Sequence, residues 1–332
     1  MPIDPGPALL SDWSFISAYG IYMLAALLAA VEYALGRYPI RRSAPVPQLV
    51  APGAAATAQN TENGHPGFRG RTLPDRCGRL AVSLTVLGAV LHFASVVLRG
   101  LAASRVPWGN MYEYISMVGL AAVVGWLYML RRHPVRNAAV FVLLPIAMLL
   151  FVAGNLLYTQ AAPVQPSLRS YWIVVHVAAA IMASGVFLVS GIASGLHLLS
   201  TRHAELSAPA DGHAGAEAPA PVRRSRLPSP ELLDRLAYRT GVFGFVTMTF
   251  AIITGAVWAE AAWGRYWGWD PKETAAFVSW VCYAAYLHAR ATSGWRKRRA
   301  AWVNIVGLAA VLFNLFFINL VVSGLHSYAG LD

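Results

Sequence analysis

Long apolar runs alternate along the chain with short polar connections, and the length of each run decides what it can form. A helix that crosses a bilayer needs about 20 mostly apolar residues, because the hydrocarbon core is about 30 Å thick and each residue rises about 1.5 Å. Eight stretches meet that requirement, at about 13–35, 80–98, 114–130, 138–157, 171–199, 241–262, 271–289 and 302–323. The pattern predicts an all-α integral membrane protein of about eight transmembrane helices, forming one polytopic domain over residues 1–332. Two connections are long and carry neither periodicity nor bulky apolar residues. They are 43–68, with Pro45, Pro47, Pro52 and Gly53, and 204–230, rich in Ala, Pro and Gly. Both are expected to be flexible cytoplasmic loops.

The charges orient the spans. Asp4 and Asp12 precede the first apolar run and no Lys or Arg does, whereas Arg37, Arg41 and Arg42 follow it, so it is not read as a cleaved signal peptide. Of the 26 Lys and Arg residues, 21 fall in the connections after spans one, three, five and seven. The other five, Arg99, Arg105, Arg169, Arg265 and Lys272, fall on the opposite side. Basic residues concentrate on the cytoplasmic side, so the expected topology has both termini on the outer, extracytoplasmic face. This partition also accounts for the formal charge of +11 without invoking nucleic acid. Composition excludes an ordinary soluble enzyme: 57% of residues are hydrophobic and 12% charged, about half the charged fraction typical of globular domains. The two cysteines, Cys77 and Cys282, form no CxxC, which disfavours a disulfide framework, a zinc ribbon and a dithiol redox pair.

Chemistry therefore rests on other side chains, and the richest segment is 263–273, between spans six and seven on the outer side. It reads Trp263-Gly264-Arg265-Tyr266-Trp267-Gly268-Trp269-Asp270-Pro271-Lys272-Glu273. An interfacial aromatic belt explains isolated tryptophans such as Trp13, Trp126 and Trp302. It does not call for glycines between the rings, which would let backbone approach a flat ligand closely, nor for a fixed Asp-Pro-Lys-Glu behind them. Asp270 suits the cap of the next helix, Pro271 its first position and Glu273 the reciprocal place in a capping box. A platform for a large planar ligand is the alternative to a belt.

The nine histidines sort by depth. His65, His133, His203 and His213 fall in or beside cytoplasmic connections. His176, just inside span five, and His326, just beyond span eight, both lie at the level of the tryptophan loop. Two neutral imidazoles from different helices meeting at a planar site suit axial ligation of a haem iron, although two unrelated interfacial histidines would look the same. His288 lies at the inner end of span seven, where a snorkelling side chain and a functional one are both possible. His92 and His197 have no motif around them and are read as structural.

Together, the tryptophan loop, the outer histidines and the eight spans resemble the CcsA (ResC-type) family of system II cytochrome c synthase subunits. That family lies within the haem-handling superfamily marked by a tryptophan-rich "WWD" loop. The pattern WGxYWxWDPKE is met in full by Trp263–Glu273, and Pro107-Trp108-Gly109-Asn110-Met111-Tyr112-Glu113 is similar to the family's outer loop before span three. His176, His326 and His288 match its two outer histidines and its membrane-embedded one. The long loops at 43–68 and 204–230 and the stretch Ser104-Arg105-Val106 depart from the family pattern.

The resemblance implies a path for haem b. His288, with a ligand from a CcsB/ResB-type partner, would take it at an inner site. At the outer face His176 and His326 would hold the iron axially. Trp263, Gly264, Tyr266, Trp267, Gly268, Trp269 and Asp270 would form the cradle, and the vinyl edge would be offered to the CxxCH thiols of an apocytochrome c. A thiol-reducing partner of the CcdA/thioredoxin-like kind would keep those cysteines reduced. The implied activity is that of a holocytochrome c synthase (haem-lyase) subunit in the cell membrane. A haem exporter without lyase activity and a cytochrome b electron carrier are the competing readings.

Overall fold

The computed structural model describes residues 4–36, 72–163, 168, 170–206, 226–295 and 297–326. The loop expected at 43–68 lies outside them, as does most of that at 204–230, whose first three residues instead end a helix. The long helices are α1 (Pro5–Leu35), α2 (Leu73–Ala103), α3 (Met111–Arg132), α4 (Ala139–Leu156), α5 (Tyr171–Leu206), α6 (Pro230–Trp263), α7 (Pro271–Ala291) and α8 (Arg298–Phe313). A 3₁₀ turn, Arg136–Ala138, leads into α4, and α8 continues through a π turn, Asn314–Ile318, into a last turn, α9 (Asn319–Val321). Each predicted span falls on one of these helices, several of which project well beyond the apolar run.

Among the described residues, seven helical segments are long and apolar enough to cross a membrane. The exception is α7, whose run is interrupted by Lys272, Glu273, His288 and Arg290. Its 21 residues still reach about 30 Å at 1.5 Å per residue. It also follows α6 through its depth. Trp280 Nε1 donates to Thr249 Oγ1 at 2.8 Å midway, and Arg290 pairs with Asp234 at 2.5 Å near the start of α6. Trp280 and Arg290, which lipid could not satisfy, are thus satisfied by protein, and α7 makes the eighth pass.

The helices assemble as two sets of four. In the first, α1 packs on α2 and α4, and α3 on α2 and α4; in the second, α5 packs on α6 and α8, and α7 on α6 and α8. The contact of α3 with α5 joins the sets. Exposed Leu27, Phe93, Met148, Val246 and Ile253 face outward, whereas Tyr22, Glu32 and His92 are fully buried. His92 bonds Ser116 across α2 and α3 at 2.8 Å, and His197 donates from Nδ1 to the Pro230 carbonyl at 2.9 Å, so both tie helices together.

Ionic clusters close the two ends of the first set. At one end Glu113, buried, accepts from Arg99 at 3.1 Å, from Arg105 at 2.7 Å and from the Gly109 N–H at 2.8 Å, with Asp12 3.7 Å from Arg99. At the other end Arg136 bridges buried Glu32 at 2.7 Å and Asp75 at 2.6 Å. Glu32 is therefore a neutralised structural carboxylate. Asp4 N–H donates to the Ala102 carbonyl at the Glu113 end, and strict up-and-down alternation returns His326 to the same end.

Removing one member of a buried ion pair strands its partners. Glu113→Ala is therefore expected to destabilise the protein by about 3–5 kcal/mol, against about 1 kcal/mol or less for Arg298→Ala at the exposed Glu205 pair. Thermal unfolding of the detergent-solubilised chain checks the contrast, and equal shifts would contradict it.

Candidate functional site

At the end of the bundle where α6 stops, the second set of helices lines a cavity open to its surroundings. Its wall includes Tyr114, His176, Trp258, Trp267, Lys272 and His326. α3 contributes through Tyr114, whose hydroxyl lies 3.4 Å from Ser184 Oγ on α5.

The loop between α6 and α7 takes its form from its backbone. Helix α6 ends at Gly264, which adopts φ +70° and donates its N–H to the Glu260 carbonyl at 2.8 Å, a left-handed cap that suits glycine. Asp270 starts α7 in a capping box with Glu273. Glu273 Oε2 accepts from both Gly268 N–H, at 2.9 Å, and Asp270 N–H, at 3.1 Å. Between those anchors Trp269 is held at φ +56°, an unfavourable conformation for a side chain of its size.

Each outer histidine is fixed by its Nδ1. A carbonyl or carboxylate oxygen can only accept, so in both cases Nδ1–H is the donor and Nε2 is left as the basic nitrogen. His176 donates to the Ala251 carbonyl at 2.7 Å, and Gly255 makes room for it, since a Cβ there would lie 2.6 Å from His176 Nδ1. His326 donates to Asp270 Oδ2 at 2.8 Å, while Asp270 Oδ1 accepts from Leu325 N–H at 2.8 Å. Burial, reinforced by the Lys272 ammonium and opposed by Asp270, pushes the His326 imidazole down to about 4, so it is neutral at physiological pH. Burial raises the Asp270 carboxyl, but the bonds from Leu325, His326 and Lys272 outweigh it and hold the group below its ordinary value. The Asp270–His326 contact is thus a hydrogen bond from a neutral ring to a carboxylate. Such a pairing fixes the ring and raises its basicity as a ligand.

Trp258, almost fully buried, links the two rings. Its indole stacks parallel to His176 with centroids 6.1 Å apart and meets His326 edge-on at 5.7 Å. Trp263 packs edge-on against Trp258 at 4.7 Å and against His326 at 4.9 Å.

The structure thus brings together His176, His326, Trp263, Tyr266, Trp267 and Asp270. Trp269 stands at the rim, 67% exposed, edge-on to Trp267 at 5.7 Å. Gly264 and Gly268 do not line the cavity: Gly264 caps α6, and Gly268 lets the Arg265 guanidinium lie where a Cβ would stand, 2.3 Å away. His288 lies apart from this cluster, exposed at the far end of α7, and its ring has no hydrogen-bond partner among the described residues. Sequence reasoning missed Trp258, one tryptophan among eleven, and Gly255, four residues beyond the carbonyl that His176 uses. It placed Asp270 in the cap and the cradle without its bond to His326.

A family model described as Cytochrome C assembly protein matches residues 108–326. The chain is 38% identical over 259 residues to the cytochrome c biogenesis protein CcsA of Parasynechococcus marenigrum (strain WH8102), covering 74% of this chain and 85% of that protein. It is 34% identical over 264 residues to the CcsA protein of Synechococcus sp. (strain RCC307), covering 75% and 85%. Among solved structures, cytochrome c heme lyase CcmF superposes with a TM-score of 0.63 at 17% identity, a likeness of fold. That match covers 94% of this chain but spans only 47% of the CcmF chain.

The Asp270 carboxylate joins the start of α7 to the segment after α9. Asp270→Ala removes the helix cap and strands buried donors, at a cost on the order of 2–3 kcal/mol. Hydrogen exchange at the Leu325 amide is expected to accelerate in this variant, and unchanged protection would refute the link. Acidification acts the same way. His326 has a folded pKa below its ordinary 6.5, so its contribution to stability is complete above about pH 6.5 and declines as pH falls toward 4.

Proposed function

The chain belongs to the cytochrome c assembly protein family, of the CcsA type, and on that premise we propose that it carries haem b across the membrane and presents it for attachment to apocytochrome c. The observation that carries this reading is the pair His176 and His326. Each has Nδ1–H committed to an acceptor and Nε2 left basic, in the wall of one aromatic cavity. Two neutral imidazoles on an apolar, ring-lined site are the donor set that bis-axial ligation of a porphyrin iron needs. By the charge partition, this end of the bundle faces outward from the cell membrane.

In this reading His176 and His326 hold the iron, while Trp258, Trp263, Trp267 and Tyr266 exclude water and support the macrocycle. Each thiol of a CxxCH segment then adds across a vinyl C=C: a C–S bond forms, the thiol hydrogen passes to the neighbouring carbon, and no net oxidation occurs. The chain contributes position and effective concentration. Reductant for the thiols comes from outside it, from a CcdA/thioredoxin-like partner, and the iron is likewise kept ferrous from outside the chain.

His288 serves the inner site. Its exposure on the outer surface of the bundle supports a site shared with another chain, of the CcsB/ResB type, that supplies the second ligand.

Coexpression with a CcsB-type partner and an apocytochrome carrying CxxCH tests the whole reading by a haem stain of a denaturing gel. Covalently stained cytochrome is expected, and its yield should fall at least tenfold in His326→Gly and Trp267→Ala. In His288→Ala, less haem should reach the outer site. Haem that copurifies but is never attached would instead favour transport or electron transfer.

A further inference from the structure

Lys272 is a cation whose neighbouring carboxylates are already committed. Asp270 accepts from the N–H groups of Lys272 and Leu325 and from His326 Nδ1, and Glu273 Oε2 accepts from Gly268 and Asp270 N–H. Among the described residues, no carboxylate lies within ion-pair distance of the Lys272 ammonium. Its Nζ donates instead to Asn319 Oδ1. That amide cannot turn away, because its Nδ2 donates to the Asn314 carbonyl at 3.0 Å and the Leu315 carbonyl at 2.8 Å across the π turn. Lys272, Asn319 and Asn314 all line the cavity, and Asn314 Oδ1 is buried without a hydrogen-bond partner among the described residues.

An ammonium in an apolar cavity, held by a neutral amide, calls for an anion. Asn314 adds a second polar group on the same wall, able to present its NH₂ to a carboxylate by rotation of the amide. The anion must be one that enters with the cavity's ligand.

We propose that Lys272, aimed by Asn319, binds the propionate carboxylates of the haem and thereby sets which edge of the porphyrin turns away from this wall. The proposal rests on the haem reading given above. Axial histidines fix the iron but leave the macrocycle able to rotate about the axis through them, and stacked indoles are equally indifferent to that rotation. Protoporphyrin carries its two propionates on one edge and its two vinyls on the opposite edge. An ion pair at Lys272 therefore turns the vinyl groups away from the wall formed by α7 and the π turn. Lys272 is on this view a positioning residue for the attachment step.

The test compares haem with its dimethyl ester, in which both carboxylates are capped, by Soret titration of the purified chain in detergent. Wild-type protein is expected to prefer haem by about ten- to a hundredfold, the worth of one or two charge-assisted hydrogen bonds. Lys272→Met should bind both porphyrins alike, with the axial-ligand spectrum unchanged, and Lys272→Arg should keep the preference. If Lys272→Met fails to accumulate, Asn319→Leu, which releases the ammonium, should reduce the preference instead. A full preference in Lys272→Met would overturn the proposal. So would equal binding of the two porphyrins by wild type with a bis-histidine spectrum, which leaves the haem site standing. Binding of neither porphyrin overturns the haem reading itself. Phosphatidylglycerol that protects Lys272 from acylation while wild type shows no preference between the porphyrins would assign the ammonium to lipid phosphate and overturn the proposal.

Discussion

The outer half of this molecule depends on one carboxylate. Asp270 begins α7, accepts the Leu325 amide and holds His326 by Nδ1, so that a helix start, a tail and an imidazole ring share a single anchor. The packing leaves little room to replace it: a Cβ on Gly324 would lie 2.7 Å from Asp270 Oδ1. Glu273 supports it from behind by gathering the N–H groups of Gly268 and Asp270. Four residues of sequence thereby organise a loop, two helices and a side chain that arrives from 56 positions away.

Elsewhere the same economy appears as charge placed only where the chain can neutralise it. Glu113 is buried but takes two guanidiniums and a backbone amide, and Arg136 is shared between Glu32 and Asp75. Each cluster sits at a helix end, where connecting segments can supply partners that lipid cannot. Between them the first four helices are largely apolar, with His92 and Ser116 bonded to each other across α2 and α3. The second set differs: Ser184, Lys272 with Asn319, and His176 and His326 gather around a cavity that Tyr114 of α3 completes.

What could be seen in the sequence follows from the range of the forces involved. The spans were legible because hydrophobic thickness is a local property of 18 to 30 consecutive residues, and the capping box because its partners are three residues apart. That His176 and His326 lie at one end of the bundle followed from the alternation of spans. The contacts that make the site were not legible in this way. Asp270 with His326, His176 with Ala251, and Trp258 between both rings join residues whose separation along the chain carries no signal. Gly255 looked like any glycine of an apolar helix until the imidazole above it was placed. Helix α7 was legible as a span in spite of its polar residues, two of which find their partners in Thr249 and Asp234 beside it.

His326 follows the last membrane pass, while the surfaces it completes are made by α5, α6 and α7. A nascent chain still emerging from the insertion machinery therefore presents His176 and the indoles without the imidazole and tail that close the cavity. The complete pair of imidazoles is therefore a property of the finished bundle alone, and a chain cut short before the last pass holds only one of the two rings.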